Sequence, residues 1–369
     1  MGVGFAIGLG GLLLLIVLVT LVLHFYPVFG AKPSKNEQER YKQSPNFRGR
    51  TFTYPIPTTL AMGLRTSMQV MLEFMKGSPS RQPAKRLPMV EFVPHSESDE
   101  RVSRVTWFGH SALLLELEGK RLLLDPMFGP TPSPVPIFGG RRYSGTLPFQ
   151  VDELPWIDAV LLSHDHFDHL DYGSIRQLKN KIGRFFVPLG VKPHLVRWGV
   201  DAARITEHDW WEEAEFDGLK LACTPARHFS GRSLRTRNQT LWCSWVIQGE
   251  HSRVFFSGDS GYGPHFRDIG ERYGPFEVTL MECGQYDARW AAIHMLPEET
   301  VQAHLDVRGR VMLPIHWGAF TLAVHDWTDP VERAVRAGER QGAVVATPRI
   351  GEPVIIGSSA IPTTAWWRG

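Results

Sequence analysis

Nine residues, Ser163 to Asp171, read Ser-His-Asp-His-Phe-Asp-His-Leu-Asp and crowd three imidazoles and three carboxylates into one short stretch. His164 and His166 alternate, so an extended backbone directs both rings to the same side. Asp168 and His169 follow at once, and a turn there aims them beside the first pair. Imidazole and carboxylate without thiolate is donor chemistry for zinc, iron or manganese, zinc being the commonest occupant. The stretch offers two ligand sets, His164 with His166 and Asp168 with His169. That is the layout of a two-metal site, which needs further ligands from elsewhere in the chain.

The element that must position this cluster is the run Ile157-Asp-Ala-Val-Leu-Leu162, short, apolar and partly β-branched. It predicts a strand with the cluster at its carboxyl end, where open α/β folds place their chemistry. The same arrangement returns three times. Leu219 to Thr224 is followed by Pro-Ala-Arg-His228, Arg253 to Ser257 by Gly-Asp259, and Arg310 to Ile315 by His316. One such histidine would be an accident and one Asp between glycines an ordinary turn former; four strands that each end in a metal donor form a pattern. Asp259 has two oxygens and could bridge ions about 3.5–4 Å apart. Val102 to Phe108 predicts another strand, and His110 after it reads as a support for the site rather than a ligand. Ala112–Glu118 and Lys120–Asp125 read as a hairpin about Glu118-Gly119, and Tyr172–Lys181 as a helix. The Pro/Gly-rich loop from Thr131 to Gly140 is expected to rim a pocket.

The chain has 369 residues, 43% hydrophobic and 21% charged, ordinary values for a globular protein with a sizeable core. Its formal net charge of +2 gives no case for a nucleic-acid partner. Cys223, Cys243 and Cys283 have no Cys-x-x-Cys spacing and fit a reducing compartment rather than a disulfide framework. Val3 to Phe25 is almost wholly apolar and long enough for a bilayer core of about 30 Å, so a retained single-pass anchor is expected over residues 1–30. Lys32, Lys35, Arg40 and Lys42 follow it, which places the rest of the chain on the cytoplasmic side. Residues 31–100 read as linker and helical extension. Within them Ala31 to Arg50 is polar, Ser78 to Pro88 is a second linker, and Thr58 to Met75 carries Leu60, Leu64, Met68, Met71, Leu72 and Met75 on one helical stripe. That stripe is expected to pack on the domain, with lipid or acyl contact as its alternative use. Residues 101–369 form the remaining, catalytic domain.

The longer blocks around these strands carry a specific resemblance. His-x-His-x-Asp-His at 164–169 is the signature of the metallo-β-lactamase superfamily. Thr106-Trp-Phe-Gly-His-Ser111, Leu154 to Tyr172, Asp209-Trp-Trp-Glu-Glu213, Thr224-Pro-Ala-Arg-His228, Gly258-Asp-Ser-Gly-Tyr262, Gly284 to Trp290 and Ile315 to Phe320 together resemble its N-acylphosphatidylethanolamine-hydrolysing phospholipase D family. The resemblance runs from about Arg101 to about Ile355 and implies a four-layer αβ/βα sandwich of two mixed sheets. It implies that His164, His166 and His228 hold one zinc, that Asp168, His169 and His316 hold the other, and that Asp259 bridges them. Iron or manganese would suit the same donors. It further implies that Asp168 takes the proton of the attacking water and that His294 is a substrate-side histidine. The apolar N-terminus is a departure from the family, whose members are membrane-associated rather than spanning.

The function implied is hydrolysis of N-acylphosphatidylethanolamine-type glycerophospholipids to phosphatidic acid and an N-acylethanolamine, with the bilayer and its lipid as partners. A homodimer is compatible with this plan. The rivals are a hydrolase of a soluble phosphodiester or lactone, similar to the ascorbate-6-phosphate lactonase branch, and a metal-binding membrane protein without turnover. A nuclease lacks its basic stripe. An iron–oxygen redox enzyme of this fold normally has Glu at the second ligand position, where this chain has His166.

Overall fold

A computed structural model of the chain describes residues 2–58, 63–94, 102–137, 139–233 and 235–369, with the side chains of residues 2–8 and 15 outside that description. The first element is α1 (Gly2–Phe25), which contains no Asp, Glu, Lys or Arg. Its described leucines, isoleucines and valines stand about half exposed, except Leu23, which is more covered. Among the described residues no helix is long and apolar enough to cross a membrane, so the expected transmembrane span is not shown.

Residues 31–58 are not the free linker that their polarity suggests. Ser34 caps α2 (Lys35–Tyr41) in a reciprocal capping box with Glu37. A hairpin of β1 (Phe47–Arg48) and β2 (Thr51–Phe52) follows. Tyr41, Phe47 and Phe52 pack ring against ring, and Tyr41 and Phe52 are fully buried in the main core. Tyr41 Oη donates to Glu207, and the Phe52 amide donates to the carbonyl of Asn238. Three aromatics at irregular spacing leave no period to read, which is why polarity misleads here. The next helix, α3 (Leu64–Lys76), contradicts a second expectation. Leu64, Met68, Met71, Leu72 and Met75 face solvent, Leu64 at 82% exposure, and Val70 is its one buried side chain among the described residues. Leu60 lies outside the described residues.

The sandwich begins with β3 (Arg104–Trp107), β4 (Leu113–Leu117) and β5 (Lys120–Leu124), antiparallel neighbours. Glu118 and Gly119 turn β4 into β5 with positive φ at both, as a tight two-residue hairpin requires. Then β6 (Ile157–Leu161), β7 (Ile182–Pro188) and β8 (Ile205–His208) add in parallel, with α4 (Tyr172–Leu178) and α5 (Lys192–Arg197) as crossovers. The second sheet takes β9 (Glu213–Phe216), β10 (Leu219–Thr224), β11 (Ser244–Gln248) and β12 (Arg253–Phe256) as antiparallel neighbours. It continues in parallel through β13 (Phe276–Glu282), β14 (Gly309–Ile315) and β15 (Val344–Val345), crossing over by α6 (His265–Tyr273), α7 (Pro297–Asp306) and α8 (Asp329–Gln341). Finally β16 (Pro353–Ile355) returns to pair with β3, so each sheet has seven strands.

Alternation along the strands makes the layers. Leu113, Leu115, Leu122 and Leu124 face Leu221, Trp245, Phe256 and Leu280 in one core between the sheets. Leu114, Leu123 and Val160 face outward onto α4 and α5 through Ile175, Leu178 and Leu195. Val246, Phe255 and Met312 face outward onto α6, α7 and α8 through Phe266, Val301 and Ala334. The result is the expected four-layer αβ/βα sandwich.

If residues 31–58 are part of this core, Phe52→Ala will lower the unfolding free energy by about 3–5 kcal/mol, read from chemical denaturation. A change below about 0.5 kcal/mol would mean that the strap does not contribute.

Candidate metal centre

Parallel strands deliver their carboxyl ends to one edge of the sandwich, and six of those ends carry a donor. Asp125 follows β5, the 163–171 loop follows β6, His228 follows β10, Asp259 follows β12, Glu282 ends β13 and His316 follows β14. His110 and His316 both hold left-handed backbone (φ 55° and 65°), and His110 pairs across to Trp317 in an isolated antiparallel bridge. Gly284 must lack a side chain because a Cβ there would overlap the His316 carbonyl. The expected ligands therefore meet, although they lie far apart in sequence.

His164, His166 and His228 have donor atoms that all lie within 4.8 Å of one another. His164 Nε2 is 2.8 Å and His228 Nε2 3.3 Å from His166 Nδ1. Asp168, His169 and His316 form a second group with His110. Asp259 stands between the groups, 3.8 Å from His164, 3.7 Å from His228, and 3.1 Å from both His169 and His316. A carboxylate between two sets of imidazoles is what a bridging ligand requires.

The orienting partners fix which nitrogen faces inward. His228 Nδ1 donates to the carbonyl of Ile293 at 2.9 Å, which leaves its Nε2 lone pair for the cluster. His169 Nδ1 lies 2.7 Å from the buried Asp125 carboxylate, which also accepts from the Ser163 amide and hydroxyl. His110 Nε2 lies 2.9 Å from Asp168 Oδ2, so His110 holds a ligand, as its place in the sequence implies. His294 Nδ1 lies 3.0 Å from the buried Glu282 carboxylate and stacks its ring on His316, 5.2 Å between centroids.

Electrostatics keep most of these rings ready to donate. Burial pushes His164, His228 and His316 well below the ordinary imidazole range, with neighbouring histidines adding to it. Burial takes His166 down to about 4. His169 is the exception: burial opposes its charge, but the carboxylates of Asp259, Asp168 and Asp125 hold it well above the usual value. Burial lifts Asp259 to about 6 against the pull of His169. His169 Nε2 and Asp259 Oδ1 are both buried without a hydrogen-bond partner. These two unsatisfied atoms beside the neutral imidazoles of His164, His166, His228 and His316 fit cations, which would take the place of the proton that the carboxylates hold on His169.

The cluster opens on a cavity of about 280 Å³ with His166, Asp168, His228, Asp259, His294 and His316 on its floor. Phe229, Trp290, Ile293 and Leu322 form an apolar rim with Gln285. The described residues of the Thr131–Gly140 loop do not line it, contrary to expectation. Asp125 and Glu282 are the functional residues that sequence reading missed. The signal was present, since each ends an apolar strand, as the recognised ligands do.

A beta-lactamase superfamily domain matches residues 120–317, more than half of the chain. The chain belongs to the metallo-β-lactamase superfamily. A Caenorhabditis elegans N-acyl-phosphatidylethanolamine-hydrolyzing phospholipase D 1 is 33% identical over 80% of this chain and 85% of the relative. An uncharacterized Mycobacterium bovis protein is 41% identical over 89% of this chain and 88% of the relative. Among metallo-β-lactamase-like structures, Igni18, a metallo hydrolase from Ignicoccus hospitalis, superposes with a TM-score of 0.51 at 23% identity, over 69% of this chain and 97% of that one. The chain is accordingly a metal-dependent hydrolase of the metallo-β-lactamase superfamily.

Asp125→Asn removes the anionic partner of His169 without altering shape. It will weaken cation binding about 10–100-fold, measured by competition against a fluorescent chelator, while the melting temperature of the cation-free protein moves little.

Proposed function

We propose that this chain is a dinuclear-metal phosphodiesterase acting on N-acylphosphatidylethanolamine-type glycerophospholipids, releasing phosphatidic acid and an N-acylethanolamine. The observation that carries the reading is the meeting of His164, His166, His228, Asp168, His169, Asp259 and His316 beneath an apolar-rimmed cavity. The likeness to the C. elegans phospholipase supports the substrate class. His164, His166 and His228 would hold one cation and Asp168, His169 and His316 the other, with Asp259 shared; zinc suits these donors best. Two such cations supply a water acidified to a pKa of about 7 and neutralise charge on a phosphoryl group.

The chain's own groups do the rest. Asp168, oriented by His110, accepts a proton from the attacking water as its oxygen bonds to phosphorus. The bond that breaks joins phosphorus to the ethanolamine oxygen. His294 faces the same cavity from its anchor on Glu282, placed to bind a phosphoryl oxygen and to return a proton to the departing alkoxide. A cavity of about 280 Å³ holds a headgroup but not three acyl chains. The chains would lie over Phe229, Trp290 and Leu322 and the exposed face of α3. A zinc-loaded preparation should hydrolyse this lipid in mixed micelles, and His164→Ala with His166→Ala should abolish turnover. Turnover surviving in that double variant would reject the mechanism.

The small cavity also favours a second reading, a soluble phosphodiester or lactone as substrate, which the same enzyme assayed on water-soluble esters would distinguish.

We further propose that α1 attaches the enzyme to a bilayer, with the catalytic domain on the cytoplasmic side. The support is an apolar helix whose described aliphatic side chains are mostly about half exposed, followed by Lys32, Lys35, Arg40 and Lys42. The full chain should float with neutral vesicles and resist extraction by alkaline carbonate. Release by carbonate would reduce α1 to a peripheral contact.

A further inference from the structure

The eight residues that leave α1, 24–31, are gripped by the protein on both sides, and one of those sides is the metal loop. Arg197 donates to the carbonyls of His24, Phe25 and Gly30, and Trp198 Nε1 donates to Pro27. The His24 and Phe25 carbonyls belong to the last turn of α1, where no helical partner exists, so Arg197 is its C-terminal cap. The Ala31 amide donates to His194 Nδ1 at 2.8 Å, and the other nitrogen of that ring faces Asp165 at 3.4 Å. Asp165 is the residue between the ligands His164 and His166. Arg232, 2% exposed, joins the two regions directly. It donates to Val28 O at 2.7 Å, to Asp165 O at 2.6 Å and to Leu170 O at 2.9 Å. Its guanidinium also lies 4.2 Å from the ring centre of Phe167, whose edge meets Phe29.

We propose that the end of α1 is a built part of the metal centre, with Arg232 and His194 as positioning residues that hold His164 and His166 in register with α1. The inference rests on the metal-centre reading above. Arg232 spans both ends of the ligand loop with one planar fork, so the loop cannot shift without breaking bonds to the α1 exit. The same fork fixes the direction in which the chain leaves α1. Neither role falls to a residue that touches substrate. A lysine at 232 would keep the charge and lose the three-way geometry.

The full chain in detergent, stripped of metal and titrated with zinc, tests this. Gly30 has φ 74°, and a Cβ there would overlap the His194 imidazole. Gly49 has a similar φ of 64° with open space around it. Gly30→Ala and Arg232→Lys should each weaken one of the two zinc-binding steps about tenfold, while Gly49→Ala, equally strained, binds zinc like the wild type. His194→Gln should match Gly30→Ala and serves if Arg232→Lys fails to fold. Wild-type zinc affinity in Gly30→Ala and His194→Gln, with only a lowered melting temperature, would overturn the proposal. Failure of the wild type itself to take up two zincs would instead reject the metal-centre reading.

Discussion

Seven imidazoles and their carboxylate partners share one water-poor edge of the sandwich, and the rest of the structure answers to that crowding. Each buried polar atom there must find a partner or a ligand, because an unmatched one costs about 1–3 kcal/mol. The chain meets the demand with a shell of fixed partners: Asp125 for His169, Ile293 O for His228 and Glu282 for His294, with His110 donating to Asp168. These contacts set tautomers and ring planes before any ion arrives. The inward atoms left over, His169 Nε2 and Asp259 Oδ1, mark where the shell stops and the ligand begins.

The sandwich is the means of assembling that shell. Neither sheet holds a complete site: the first gives Asp125 and the 163–171 loop, the second gives His228, Asp259, Glu282 and His316. The apolar core between the sheets, from Leu115 and Leu124 to Trp245 and Leu280, sets the distance between the two contributions. A packing defect well away from the edge would therefore be felt as altered ligand spacing, since close-packed interiors transmit strain.

How much of this was legible in the sequence depends on whether a signal was local. Strands that end in His or Asp are local, and the ligand list follows from them. The β4–β5 hairpin is local too, through Glu118-Gly119. The strap of residues 31–58 was not, because Tyr41 and Phe52 are buried, with hydrogen-bond partners in Glu207 and Asn238 that no window of sequence contains. The stripe on α3 was legible as a stripe, but periodicity does not say which medium the apolar face meets. Arg232 reads as one more basic residue in a polar loop, and only its three distant carbonyl partners reveal its place. Asp125 and Glu282 were readable by the same strand-end rule and were passed over because an acid at a strand end is common.

The C-terminal tail closes the assembly. Trp366 stacks on Trp317, the residue after the candidate ligand His316, at 5.5 Å between centroids, and β16 completes the first sheet beside β3. A site drawn from strands on both sides of the chain's midpoint, and backed by Trp366, exists only once both sheets have closed on each other, so long-range contacts and not local ones govern its assembly.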